Sequence, residues 1–287
     1  MEYWLGWFHD DYLQAKAIAT AAEQMGFTGI ALPDHVAIPK GYTSPHPSGE
    51  RHIEHPTPFP DPLITIATMA AVTTRLRFLT YVYVLPMREP FSVAKQVATL
   101  AMQSNYRFVL GVGTGWMLEE IALLGHQARR RGRRMDEMIA IMRDFWDDGL
   151  AACQGEFYHF DVTGQFPVPA RRIPIWTGGK SATALRRAAR NDGWAGMNYD
   201  MGEIPGLLAT LEVERLRYQE RHGDSGEPFH RLVIPRAVPS RDVYRRLADW
   251  GIDSTIAIPW PIEDPRYAPL DAKLDAMQAF AQQHNGH

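Results

Sequence analysis

With Cys153 as its single cysteine, this chain of 287 residues can form no intrachain disulfide and no thiolate cage for a metal. That economy suits a reducing compartment, so a cytoplasmic location is expected. An excess of either charge is lacking, since 30 basic residues nearly balance 33 acidic ones. The net value of −3 and the isoelectric point near 6.4 give nucleic acid or an anionic membrane no electrostatic hold, and neither is expected as a partner. Nowhere do eighteen apolar residues follow one another, and the opening MEYWLGWFHDD has neither a basic leader nor a sustained apolar stretch. Internal repeats, low-complexity tracts and interdomain linkers are lacking too. Apolar residues are plentiful: at 45% of the chain, they can help a polypeptide of this length bury roughly three quarters of its unfolded surface. One domain over residues 1–287 is the expectation.

Short β-rich runs alternate with stretches of helical periodicity. The runs are YWLGWF (3–8), TGIAL (28–32), RFLTYVYVL (77–85), RFVLGVG (107–113), IPIWTG (173–178), GWAGM (193–197), RLVIP (231–235) and STIAIPW (254–260). Helices between them end at Gly26 and Gly251, a common stop. Eight such units predict a parallel (β/α)₈ barrel, an α/β fold whose active site lies at the C-terminal ends of the strands. Two segments break the rhythm. Residues 36–60 carry six prolines and four glycines or serines, too many for an ordinary loop, and read as an active-site lid. Residues 149–172 read as an insertion before strand five.

Two familiar nucleotide motifs fail on inspection. The stretch FVLGVGTGWMLEE places Gly111, Gly113 and Gly115 at alternate positions, but Trp116 stands where a dinucleotide fingerprint needs its third glycine. Around TGGKSATALRRAAR, a P-loop would need glycine where Pro174 stands. Thr177, Gly178, Gly179, Lys180 and Ser181 still form a candidate phosphate turn, with Ser181 as helix cap; a plain tight turn is the alternative. LPDHV sets Asp34 and His35 at the end of strand two, where an imidazole can move a proton and a carboxylate can tune it, or where both simply brace the loop. RRRGRR (129–134) precedes an apolar stripe and reads as a solvated helix start, with ion pairs to Asp136 and Glu137. His46, His52 and His55 lie in the lid without the spacing of metal ligands, and no metal is expected.

Taken together, AEQMGFTGIALPDHV, DPLITIATMAAVTTRLRF, VLPMREPFSVAKQVATL, LGVGTGWMLEE, RGRRMDEMIAIMRDFW, PIWTGGKSATALRRAARNDGW and LADWGIDSTIAIPW resemble the bacterial luciferase-like flavin-dependent oxidoreductases. The likeness covers nearly the whole chain and is strongest to the branch that uses the deazaflavin coenzyme F-420. It implies hydride transfer between F-420 and a small organic substrate, with FMN-dependent monooxygenation fed by a partner flavin reductase as the alternative, and a non-catalytic flavin-binding barrel as a rival of another class. The resemblance places Asp34 and His35 beside the reactive edge of the ring, and Thr80 and Tyr81 behind it. It puts Gly111, Gly113 and Gly115 where the ring needs room, the turn from Gly178 to Ser181 around the phosphate, and Trp116 at the substrate pocket. A homodimer is also implied, as is a flavin or deazaflavin reductase partner. One departure stands out: AMQSNYR replaces the family's usual Asp-x-Leu-Ser-x-Gly-Arg, through Ala101, Gln103 and Tyr106. Asn105 is expected to supply the left-handed turn there.

Overall fold

The computed structural model describes residues 1–8, 11–49, 53–224, 226–262 and 264–284. In chain order these form β1 (Glu2–Gly6), α1 (Ala15–Gln24), β2 (Gly29–Leu32), α2 (Pro62–Ala70), β3 (Arg77–Thr80), β4 (Tyr83–Val84), α3 (Pro90–Gln103) and β5 (Phe108–Gly113). Then follow α4 (Leu118–Leu123), α5 (Arg131–Asp147), β6 (Leu150–Gln154), β7 (His159–Gly164), β8 (Ile175–Gly178), α6 (Ala182–Ala188) and β9 (Gly193–Tyr199). The chain finishes with α7 (Ile204–His222), β10 (His230–Pro235), α8 (Arg241–Asp249), β11 (Ser254–Ala257) and α9 (Leu270–His284).

Strands β1, β2, β3, β5, β8, β9, β10 and β11 pair in parallel in that order, and β11 returns to β1. The result is the (β/α)₈ barrel. Helix starts follow from local chemistry. Asp61 accepts from the Ile64 amide ahead of α2, Glu89 from Phe91 and Ser92 ahead of α3, and Ser181 and Ser240 cap α6 and α8. Pro62 and Pro90 open their helices where a missing amide hydrogen costs nothing. Just beyond α1 and α8, Gly26 and Gly251 take φ values of 80° and 79°.

Strand alternation divides the buried residues. Leu5, Ile30, Phe78, Phe108, Leu110 and Ile175 face the helices, whereas Trp4, Leu79, Val109, Trp176, Leu232 and Ile256 fill the barrel axis. Trp4 and Trp176 meet edge to face at 5.7 Å and close the floor. Two residues further along the same faces stand Gly6, Gly111 and Gly178. Of these three, Gly178 borders the cavity at the far end of the axis, whereas Gly6 and Gly111 let neighbouring side chains and backbone pack close.

Several details depart from the sequence reading. The expected third strand, 77–85, is two pieces: β3 ends at Thr80, and β4 resumes at Tyr83 against Val112 and Gly113. Residues 149–172 contain the antiparallel hairpin of β6 and β7. The arginine run is tied down rather than solvated throughout. Arg134 donates to the carbonyls of Pro86 and Arg88, Arg131 to that of Gly115, while Arg133 pairs with Glu156. Asp136 binds Arg187, and Glu137 accepts amides from residues 156–158, so neither serves the arginines of the run. Asn105 adopts φ 52° as expected, and Tyr106 joins it at 59°. Among the described residues, no helix is long and apolar enough to cross a membrane.

Candidate active site

The far end of the axis opens as a cavity of about 300 Å³ at the C-terminal ends of the strands. Its walls come from β2 (Asp34, His35), the stretch between β3 and β4 (Tyr81, Val82), the β5 end (Gly113–Trp116), the β8 turn (Gly178–Lys180) and β9 (Ala195, Met197, Asn198). His46, Pro47, Ser48, Ile53 and Phe59, all from residues 36–60, complete the wall.

Neighbours in sequence, Asp34 and His35 are used differently. Asp34 is buried and holds Arg88 in a two-pronged pair at 2.6 and 2.7 Å, while also accepting the Val84 amide at 2.8 Å. Burial pushes its carboxyl up from the ordinary value, and the Arg88 guanidinium pulls the other way. Arg88 is itself lowered by burial, but Asp34 opposite leaves it above its usual value. This pair fixes β4 and the start of α3 against β2. His35 instead places Nδ1 2.7 Å from Oε2 of Glu120, in a buried contact. Oε1 of the same carboxylate accepts the amides of Val36 and Ala37 at 2.6 and 3.0 Å. A carboxylate can only accept, so His35 donates from Nδ1, and Nε2 is the nitrogen left to hold or accept a proton. Glu120 thereby sets both the tautomer and the tilt of the ring.

Glu119, one residue earlier, secures the next part of the loop. It accepts the Thr43 and Ser44 amides and both hydroxyls, and the Ser44 hydroxyl also accepts the Leu118 amide. Hydrogen bonds from Ser44 and Thr43 hold its carboxyl at about 2. At the far side of the mouth, Asn198 donates to Ser48 Oγ at 2.7 Å and Arg236 to the Ser48 carbonyl at 3.2 Å. Asn198 does so from a left-handed backbone, φ 51°. Residues 36–48 therefore span the mouth, anchored on both banks.

The structure brings together Asp34, His35, Tyr81, Gly113, Gly115, Trp116, Gly178, Gly179 and Lys180 around one cavity. Four residues expected at the coenzyme, Thr80, Gly111, Thr177 and Ser181, lie outside the cavity lining. Thr80 is fully buried on the outer face of β3 and donates to the Gly111 carbonyl. Gly111 sits one layer below the cavity, where a Cβ would come 2.0 Å from the Thr80 carbonyl oxygen; its bareness serves strand packing. Thr177 is fully buried behind the β8 turn, with its hydroxyl unpartnered. Ser181 caps α6 outside the lining, and Lys180 is engaged by Glu203 at 3.0 Å. Tyr81 lines the cavity while its hydroxyl donates to the Gly196 carbonyl, and burial raises it well above its ordinary value. Sequence reasoning missed Arg88, Glu119, Glu120 and Asn198. Of these, only the glutamate pair following Trp116 left a visible signal. His52 lies outside the described residues; among those described, no three His, Cys, Asp or Glu side chains are grouped to hold a metal ion.

The cavity fits a flat coenzyme ring. Lining positions Gly113, Gly178 and Ala195 carry almost no side chain; a Cβ at Gly178 would meet only ordinary contacts, the nearest Val82 at 3.4 Å, whereas one at Gly113 would press on Val82 at 2.5 Å. Comparison with known proteins agrees. Residues 6–229 match the family model described as luciferase-like monooxygenase. An uncharacterised protein of Mycobacterium tuberculosis is 37% identical over 271 residues, covering 92% of each chain. An FMNH(2)-dependent dimethylsulfone monooxygenase of Pseudomonas fluorescens is 29% identical over 58% of this chain and 46% of its own. The structure of monooxygenase RslO1 from Streptomyces bottropensis superimposes with a TM-score of 0.78 over 100% of this chain and 99% of that one, at 17% identity. None of these singles out the F-420 branch toward which the sequence motifs leaned. A barrel hollowed by glycine at its mouth, a histidine held by a carboxylate there, and a match over most of its length place this chain in the luciferase-like monooxygenase family, whose members are redox enzymes using a coenzyme of the flavin type.

Proposed function

We propose that the protein is an FMN-dependent monooxygenase acting on a small organic substrate, with reduced flavin delivered by a separate reductase. The observation that carries this reading is the His35–Glu120 pair, set in the wall of a cavity emptied by Gly113, Gly178 and Ala195. The FMN-using relative supports it over the deazaflavin, because insertion of an oxygen atom requires a ring that reacts with dioxygen. When bound, reduced FMN supplies the electrons that activate oxygen; the protein supplies placement, electrostatics and exclusion of water.

Tyr81, Val82 and Met197 present an apolar surface for one face of the ring, and the backbone of Gly178 and Gly179 with the Lys180 ammonium would receive the phosphate. His35 holds a proton at Nε2 or accepts one there, while Glu120 stabilises the ring when it is charged. Trp116 walls the substrate side, meeting His35 edge-on at 5.6 Å. The loop over residues 36–60 acts as the lid that keeps water out, and the barrel 1–287 works as one unit.

Titration of the purified protein with FMN and, separately, with F-420 tests the coenzyme. Turnover under labelled dioxygen tests the chemistry. FMN binding with label in the product is the expected result; F-420 binding with oxygen-independent turnover would replace this reading by hydride transfer.

A further inference from the structure

Among the described lining residues, the only Asp, Glu, Lys or Arg side chains are Asp34 and Lys180, and both are already paired. Asp34 spends both oxygens on Arg88 and the Val84 amide, and Lys180 faces Glu203 at 3.0 Å on the side assigned to the coenzyme phosphate. Behind His35, Glu120 has both oxygens engaged. His46 accepts the Ser48 amide at Nδ1, 3.1 Å away, which holds that ring nitrogen unprotonated.

Around the two histidines the wall is built for contact rather than charge. Trp116 meets His46 at 4.9 Å and Tyr42 at 5.5 Å, both edge to face, and Phe59 meets His35 at 4.7 Å. Ile258 adds an aliphatic side across the mouth. A charged substrate entering here would give up its water and meet, among the described lining residues, no Asp, Glu, Lys or Arg side chain that is not already paired. An apolar one gains from each square ångström it covers.

We infer that the substrate is an uncharged, largely apolar organic molecule that presents one polar group to His35, an inference that rests on the redox reading of the site. Its body lies against Trp116 and Ile258, and the aromatic wall favours a planar skeleton. Phosphorylated, carboxylated and ammonium-bearing metabolites are selected against by the aromatic and aliphatic lining, where the described Asp34 and Lys180 are already paired.

Three probes of one shape and different charge test this on the whole protein with FMN added: 2-naphthalenemethanol, 2-naphthoate and 2-naphthylmethylammonium. Calorimetry is expected to show the alcohol binding at least about tenfold tighter than either ion. Trp116→Ala is expected to weaken the alcohol about tenfold while FMN affinity, read from its absorbance, stays within about twofold. Ile258→Lys, at a partly exposed position, is expected to reverse the preference toward 2-naphthoate. Equal or tighter binding of either ion by the unaltered protein overturns the inference, as does failure of all three probes while FMN binds. Loss of FMN binding with the probe order intact would overturn the coenzyme assignment alone.

Discussion

The two ends of the barrel axis are made from the same strands and do opposite things. At the floor, Trp4 and Trp176 are fully buried and fill the interior with Leu79, Val109, Leu232 and Ile256. At the mouth, the next inward positions on β1 and β8 are Gly6 and Gly178, and β5 contributes Gly113. Stability is concentrated where the side chains are large, and room for chemistry where they are missing. Polar groups follow the same division. The floor leaves two indole N–H groups, of Trp4 and Trp176, without partners, whereas at the mouth each charged side chain is held by two or more hydrogen bonds or an ion pair. The lesson is that the inner residues shrink toward the mouth on particular strands, two positions along β1 and β8 and four along β5, while β3, β10 and β11 keep large side chains there.

Removing a floor side chain should produce the largest structural effect. Trp176→Ala is expected to cost about 3–5 kcal/mol, seen as a large fall in melting temperature, with any loss of activity tracking the unfolded fraction. If the variant melts normally yet fails to bind flavin, the division between the two ends is wrong. At the mouth the pattern should invert. His35→Ala is expected to leave melting and FMN affinity nearly unchanged while turnover drops about 10² to 10⁴, and unaltered steady-state rates would remove His35 from the mechanism. Glu120→Gln keeps the shape but not the charge; a loss of about 1.5–3 kcal/mol from the transition state, roughly ten- to a hundredfold in kcat, is expected, with a KM close to normal.

The glycines sharpen the boundary. Gly111→Ala places a Cβ against the Thr80 carbonyl oxygen and is expected to cost about 1–3 kcal/mol in folding. Gly178→Ala meets only ordinary contacts at 3.4 Å or more, so its expected effect is a weakened FMN complex with an unchanged melt. Calorimetry and thermal unfolding of the two variants side by side would expose an error in either assignment. The smallest effect concerns acid. Glu119 has a folded pKa of about 2, below its ordinary 4.5, so its contribution is complete above about 4.5 and is lost as pH falls toward 2. Limited proteolysis of the 36–60 loop should therefore show Glu119→Gln cleaved faster than the unaltered protein at pH 7, and the gap should close as the medium approaches pH 2–3.

Much of the barrel was legible because its signals are local. Apolar runs, capping Asp and Ser residues and stopping glycines act within a few positions, so all eight barrel strands fall close to the runs read from sequence. The limits appear where contacts reach far along the chain. Glu120 touches His35 across 85 residues, and Arg88 reaches Asp34 across 54. Neither has a local pattern, so the sequence left open whether Asp34 tunes His35 or braces the loop; its partners are Arg88 and the Val84 amide. Thr80 and Thr177 fall outside the cavity lining for a simpler reason. Both lie on the outer face of strands whose alternate residues face the axis, a parity that the quoted motifs alone do not reveal. The coenzyme branch was over-read for a third reason: the ring pocket is bounded by glycine, and glycine does not distinguish two rings of the same outline.

Adjacent glutamates at the start of α4 bear on any attempt to re-engineer the protein. Glu119 and Glu120 together accept from Val36, Ala37, Thr43 and Ser44 as well as from His35. A loop transplanted here from a homologue would arrive without its fasteners unless the turn carrying those two residues travelled with it. Loop and turn form a single cassette, separated by some seventy-five residues of sequence but inherited, in effect, as one part.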